Sequence, residues 1–136
     1  MIKANELRIG NLILWSGGVH EIELIGKGNE QLDNDNGFVY FRKKNLQRVS
    51  ENVDSIEPIP LTEEWLLKFG FELDEEDDGF FKMKIKTSVN EKSECLVFIY
   101  ESYYQVEVAE INHVHQLQNL YFALTGEELT LKDEVL

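Results

Sequence analysis

Cysteine is all but missing from this chain: Cys95 is the only one in 136 residues, so no internal disulfide and no Cys-x-x-Cys redox or zinc pair can exist. Long apolar runs are missing too. The longest, Leu12-Ile13-Leu14-Trp15 and Leu96-Val97-Phe98-Ile99-Tyr100, are of strand length and fall far short of the roughly 20 residues that span a bilayer as a helix. The opening segment Met1-Ile2-Lys3-Ala4-Asn5-Glu6 has no apolar core of the kind a signal peptide needs. The expectation is a cytoplasmic protein with no membrane partner.

Positive charge is the third shortage. The chain carries 13 Lys/Arg against 26 Asp/Glu, a net charge of −13. Residues 1–60 hold 7 cations against 9 acids, whereas residues 61–136 hold 6 against 17, net −11. Affinity for nucleic acid is largely cationic neutralisation of phosphates, so direct DNA or RNA binding by residues 61–136 is disfavoured.

Proline is also scarce, and its position is informative. Pro58 and Pro60 stand two apart in Ile56-Glu57-Pro58-Ile59-Pro60-Leu61-Thr62, where short β-type runs give way to helix signals. Proline fixes φ and biases the preceding residue toward extended backbone, so the pair marks a stiff junction. The expected organisation is α+β: a small β-barrel lobe, 1–60, packed against an acidic α-β-β-β-α lobe, 61–136, with an antiparallel sheet. With 43% apolar and 29% charged residues, the chain has enough core material to fold.

In the first lobe, Leu12 to Trp15 reads as a strand and Ser16-Gly17-Gly18 as a tight hairpin with positive-φ positions. In the return strand, Val19 to Ile25, Ile22 and Leu24 alternate with Glu21 and Glu23, which predicts one inward and one wet face. Glu30 to Asp33 and Phe38 to Phe41 flank Asn36-Gly37, a strong hairpin signal, while Asn45 to Val49 and Ile56 to Ile59 supply closing pieces. This order is similar to SH3-like barrels of the KOW sort. Such barrels often bind RNA, DNA or peptides. Arg42, Lys43 and Lys44 beside Tyr40 and Phe41 are therefore the candidate nucleic-acid contact, against the plainer reading of a solvated turn. Asp33-Asn34-Asp35-Asn36-Gly37 fails as a calcium loop, because the pattern requires Gly sixth and Glu twelfth.

In the second lobe, Thr62 is the expected N-cap of a helix carrying Trp65, Leu66 and Phe69 and ended by Gly70. Glu72 to Gly79 holds six acids in eight residues and predicts a loop. Phe81, Met83 and Ile85 alternate with Lys82, Lys84 and Lys86, which predicts one strand with an apolar face and a lysine face. Strands at about Glu94 to Tyr100 and Tyr103 to Ile111 follow, and Glu94, Glu107 and Glu110 are expected to pair with the lysines. Asn112 is the expected cap of a last helix with Val114, Leu117, Leu120, Tyr121 and Leu124 at helical spacing and Gly126 after it.

Catalytic and metal chemistry find little support. His113 and His115 point different ways at a helix start, and His20 belongs to the other lobe, whereas zinc needs three or four ligands. An enzyme built on His113, His115 and Glu110 is the minor alternative. Cys95, in an apolar run, reads as a buried small side chain. Neither a metal nor a cofactor is expected.

Three stretches carry a resemblance: Ala4-Asn5-Glu6-Leu7-Arg8-Ile9-Gly10-Asn11, Pro58 through Phe71, and Val114 through Gly126. In these the chain resembles a family of small uncharacterised proteins of Bacteroidetes genomes and their phages or prophages. The resemblance implies no activity, cofactor or catalytic residue. The expected function is that of a non-enzymatic protein-binding or accessory protein of mobile-element type, engaging an unidentified protein partner, with Tyr103, Tyr104, Tyr121 and Phe122 as candidate contacts. Two alternatives stand beside it: a nucleic-acid-binding module in the first lobe, and an acidic mimic of nucleic acid in the second.

Overall fold

In the computed structural model, Trp15 pairs with Gly18 and the two residues between them, Ser16 and Gly17, take φ of 50° and 78°. Two consecutive positive-φ residues make the type I′ turn whose twist suits a hairpin. The structure describes residues 2–26, 37–43, 47–75, 79–101 and 104–132. The chain divides into two compact units, one ending at Ile59 and the other beginning at Pro60. It is α+β, with two antiparallel sheets and few helices. No helix among the described residues is long and apolar enough to cross a membrane.

The first unit is a four-stranded meander, β1 (Leu12–Trp15), β2 (Gly18–Gly26), β3 (Phe38–Arg42) and β4 (Arg48–Asn52), in that spatial order. A turn at Arg8-Ile9-Gly10-Asn11 leads into it. There Asn11 N donates to the Arg8 carbonyl at 3.0 Å and Gly10 adopts φ +96°, a conformation glycine takes without steric cost. Ile13, Ile22, Val39, Phe41, Val53 and Ile56 form the centre of the core. After β4 comes a 3-10 turn, Val53–Ser55, and then Glu57 exchanges two backbone hydrogen bonds with Leu14 of β1, 2.8 and 2.9 Å. Among the described residues the sheet does not close into a barrel.

Simple alternation fails in β2. Ile22 pairs with Phe41 and Leu24 with Tyr40, so Glu23 is an extra residue, a β-bulge. Ile22 is buried, but Leu24 is turned outward and Ile25 packs on the core in its place. The expected strand Glu30 to Asp33, and Asp33 to Asn36 of the rejected calcium loop, lie outside the described residues.

The second unit carries a five-stranded meander: β5 (Glu72–Asp74), β6 (Gly79–Lys82), β7 (Ile85–Val89), β8 (Cys95–Glu101) and β9 (Tyr104–Ile111). Two helices accompany it, α1 (Glu63–Lys68) and α2 (Val114–Thr125). Thr62 caps α1 by accepting from Trp65 N at 3.4 Å. At the other end Gly70, at φ +88°, donates to the Leu67 carbonyl and Phe71 donates to that of Leu66, both at 3.0 Å, which together make a Schellman motif. Gln116 secures the start of α2, its Oε1 accepting from Asn112 N at 2.8 Å and His113 N at 3.0 Å.

Three expectations are corrected here. The acidic stretch is not all loop, because Glu72–Asp74 pairs as a strand with β6. Phe81 to Lys86 is not one strand either. Lys82 pairs with Ile85 across a two-residue loop in which Met83 takes φ 56°, so the sheet has five strands where three were expected. Finally, α2 is capped at His113, one residue later than Asn112.

Candidate protein-contact face

Strand alternation and register divide the side chains of the second sheet between two faces. One face holds Phe80, Ile85, Thr87, Cys95, Val97 and Ile111, all buried. The helices lie on this side. Lys82 Nζ donates to the Phe69 carbonyl at the end of α1, 2.8 Å, and Tyr121 Oη of α2 donates to Met83 Sδ, 3.2 Å. Thr87 satisfies its buried hydroxyl on the Phe80 carbonyl at 3.1 Å.

Among the described residues the other face has no helix over it. In one cross-strand row Glu72 pairs with Phe81, Phe81 with Lys86, Lys86 with Phe98, and Phe98 with Glu107. In a second row Leu96 pairs with Ser88 on one side and Glu110 on the other. Tyr100 continues the line of Leu96 and Phe98 along β8. Phe81, Leu96 and Tyr100 are 39%, 36% and 50% exposed, and Phe98 is half-buried. The middle of this face is therefore an apolar strip. Acids border it on both sides, Glu72 and Asp74 on β5 and Glu107 and Glu110 on β9, across four strand spacings or about 19 Å.

One lysine belongs to the strip. Lys86 Nζ lies 3.6 Å from Asp74 Oδ2, and its side chain is only 11% exposed. To reach Asp74 it crosses Gly79, where a Cβ would stand 3.0 Å from Lys86 Cε and 3.0 Å from the Thr87 carbonyl oxygen. Glycine at 79 is what leaves room for the ion pair. Beside it, Phe81, Tyr100, Ile85 and Lys84 line a hollow of about 400 Å³.

β9 has a bulge of its own. Val97 pairs with Ala109 and Phe98 with Glu107, so Val108 is the extra residue. Glu107 and Glu110, three apart in sequence, therefore share one face. β9 is an edge strand, and Tyr104 and Val106 are 77% and 59% exposed.

No protein-family model, curated protein or solved structure matches the chain.

The residues singled out in the sequence fall in different places. Tyr104 and Phe122 are exposed. Tyr121 is corrected: it is 1% exposed, its ring set edge-on to Phe71 at 6.2 Å, and so it belongs to the core rather than to a contact surface. Burial, reinforced by Glu127, raises its phenol above the ordinary value. Arg42, Lys43 and Lys44 are not shown as a single patch. Arg42 Nε meets both oxygens of Glu23, 3.1 and 3.2 Å, and Lys43 Nζ sits 5.2 Å over the Trp15 ring. Lys44 and Tyr103 lie outside the described residues.

The rings of His113 and His115 stack 5.8 Å apart, with His115 buried, while Glu110 occupies the opposite face of the sheet from α2. These three share no cleft. His20 packs against Trp15 and Phe41 at 5.8 and 4.7 Å. No group of three metal-ligating side chains occurs among the described residues. Burial pushes the Cys95 thiol up to about 12, which keeps it in the unreactive protonated form.

Alternation alone hides the uncovered strip, because a single strand over 81–86 would set Phe81 on the same face as Ile85, and the Met83 turn puts the two on opposite faces. A signal was present in Leu96-Val97-Phe98-Ile99-Tyr100. A strand apolar at every position has two faces to cover, and the helices cover one.

Proposed function

We propose that the chain is a non-enzymatic binding protein that engages another protein through the uncovered face of β5–β9. The observation that supports this most is the apolar strip of Phe81, Leu96, Phe98 and Tyr100 between two acidic borders. Protein interfaces have this anatomy, an apolar and aromatic centre with a polar rim, and aromatic side chains supply most of their energy. A mimic of nucleic acid would present carboxylates throughout, so the strip favours a partner with an apolar centre. The family resemblance makes an accessory role in a mobile element the setting.

The test is site-specific photo-crosslinking in cells of the natural host, with p-benzoylphenylalanine at position 100 and, as a control, at the exposed Lys92. One protein adduct formed at 100 and absent at 92 supports the reading. No adduct, or the same adducts at both positions, overturns it.

A second reading rests on the first unit. A four-stranded meander, a 3-10 turn and a segment returning to β1 follow the order of a small SH3-like barrel, with Glu57 in the closing piece. On its outer face Phe38 and Tyr40 meet edge-to-face at 5.4 Å, Arg48 lies over Tyr40 at 5.5 Å, and Arg42 pairs with Arg48 across the strands. Rings beside cations suit single-stranded nucleic acid. Replacing Tyr40 and Arg48 with Ala lowers both affinity and salt dependence for an oligonucleotide on this reading; unchanged binding refutes it.

A further inference from the structure

We infer that the partner docks as an extended, lysine- or arginine-bearing strand that pairs with the free edge of β9; this rests on the protein-binding reading and specifies the chemistry of the partner. β9 is eight residues long, forms one end of the five-stranded order, and among the described residues has no strand on its outer side. Backbone groups along such an edge are a template for strand addition. Side chains on both faces of β9 are exposed from Tyr104 through Val108.

The two faces ask for different side chains. A strand laid beside Tyr104 to Glu107 has alternate residues next to Gln105 and Glu107 on the strip side, with the charge of Glu110 beyond them, and the residues between next to Tyr104 and Val106 on the helix side. Cations fit the first set and β-branched or aromatic residues the second, since directly opposed pairs of this kind stabilise antiparallel neighbours. The bulge at Val108 interrupts the outer ladder, so the regular pairing run is Tyr104 to Glu107. A short run makes a reversible contact.

Charge also decides against a second copy as the occupant. Two chains of net charge −13 would meet edge to edge with their acidic borders together. A basic strand gains from the same field.

The experiment uses the intact 15N-labelled protein and three capped eight-residue peptides. The first alternates Val and Lys, the second alternates Val and Glu, and the third repeats the first with every backbone nitrogen methylated, which keeps its side chains but removes its N–H donors. The expected result is that the Val/Lys peptide moves the amide resonances of Tyr104 to Glu107, binds at least about tenfold more tightly than the Val/Glu peptide, and loses about tenfold or more on methylation. The doubly substituted E107K/E110K protein, checked for an unchanged fold by its spectrum, should reverse the preference between the first two. Equal binding of the methylated peptide, shifts scattered over the acidic surface, or no binding overturns strand pairing. So does concentration-dependent sedimentation of the free protein as a dimer through β9. These failures are separable from that of the broader reading, because the adduct at position 100 reports on the face whether or not β9 accepts a strand.

Discussion

Replacing Lys82 with Met should destabilise the second unit although it removes no apolar surface. Lys82 is half-buried; its ammonium donates to the Phe69 carbonyl at 2.8 Å and lies 6.0 Å from the centre of the Tyr121 ring. Gly70 keeps the approach open, since a Cβ there would be 3.1 Å from Nζ. Methionine retains a stem of similar length and loses only the charge and the donor. A hydrogen bond from a charged group contributes about 1.5–3 kcal/mol, and partial exposure to water reduces this to about 1–2 kcal/mol here. With a urea slope of about 1–2 kcal/mol per molar for a small unit, the midpoint should fall by about 1 M. Urea unfolding followed by circular dichroism measures it, with Lys92→Met, an exposed lysine in the β7–β8 turn, as the control. A Lys82→Met midpoint within about 0.2 M of the parent, or a control that falls as far, would refute the assignment of this lysine as the cap of α1.

Three other outcomes are expected. Cys95 should resist thiol reagents in the folded protein at pH 8 and react once urea unfolds it. Because burial lifts the folded thiol to about 12 while the unfolded one ionises near its ordinary value, stability should fall as pH rises from about 9 toward 12. Cys95→Ala should flatten that part of the profile, and an unchanged slope contradicts the burial. Gly79→Ala should displace Lys86 from Asp74; in that background Asp74→Asn should cost less than in the parent, where it costs up to about 1 kcal/mol, as urea midpoints of the four proteins would show. Tyr100→Ala, at a half-exposed position, should change stability by no more than about 0.5 kcal/mol yet abolish the partner adduct formed by a crosslinker moved to position 98.

Local chemistry made part of this fold legible. Ser16-Gly17, Thr62, Gly70 and Gly126 each act within a few residues of themselves, and each turn or helix end appears where those residues stand. What escaped the sequence is non-local. The bulge at Glu23 follows from how β2 fits β3, and nothing in Glu21-Ile22-Glu23-Leu24 announces it. The turn at Met83 contains no Gly, Pro or Asn, the residues that usually mark one. Glu72–Asp74 pairs as a strand with β6, and the cation that meets Asp74 is Lys86, twelve positions away in sequence. The contact face was half legible, its apolar run visible in Leu96 to Tyr100 but its acidic borders dependent on register.

Val108 can be deleted on paper without changing any other pair. Ala109 stays opposite Val97, Glu107 opposite Phe98, and the strand becomes a regular ladder. The inserted residue thus adds nothing to the pairing with β8, and its effect falls on the outer edge of β9. A straight edge would offer its whole length to an added strand, whereas the kinked one limits regular pairing to Tyr104 through Glu107. Loss of a single codon would leave the same sheet with a longer docking edge, and so a tighter and less selective grip on any strand laid against it.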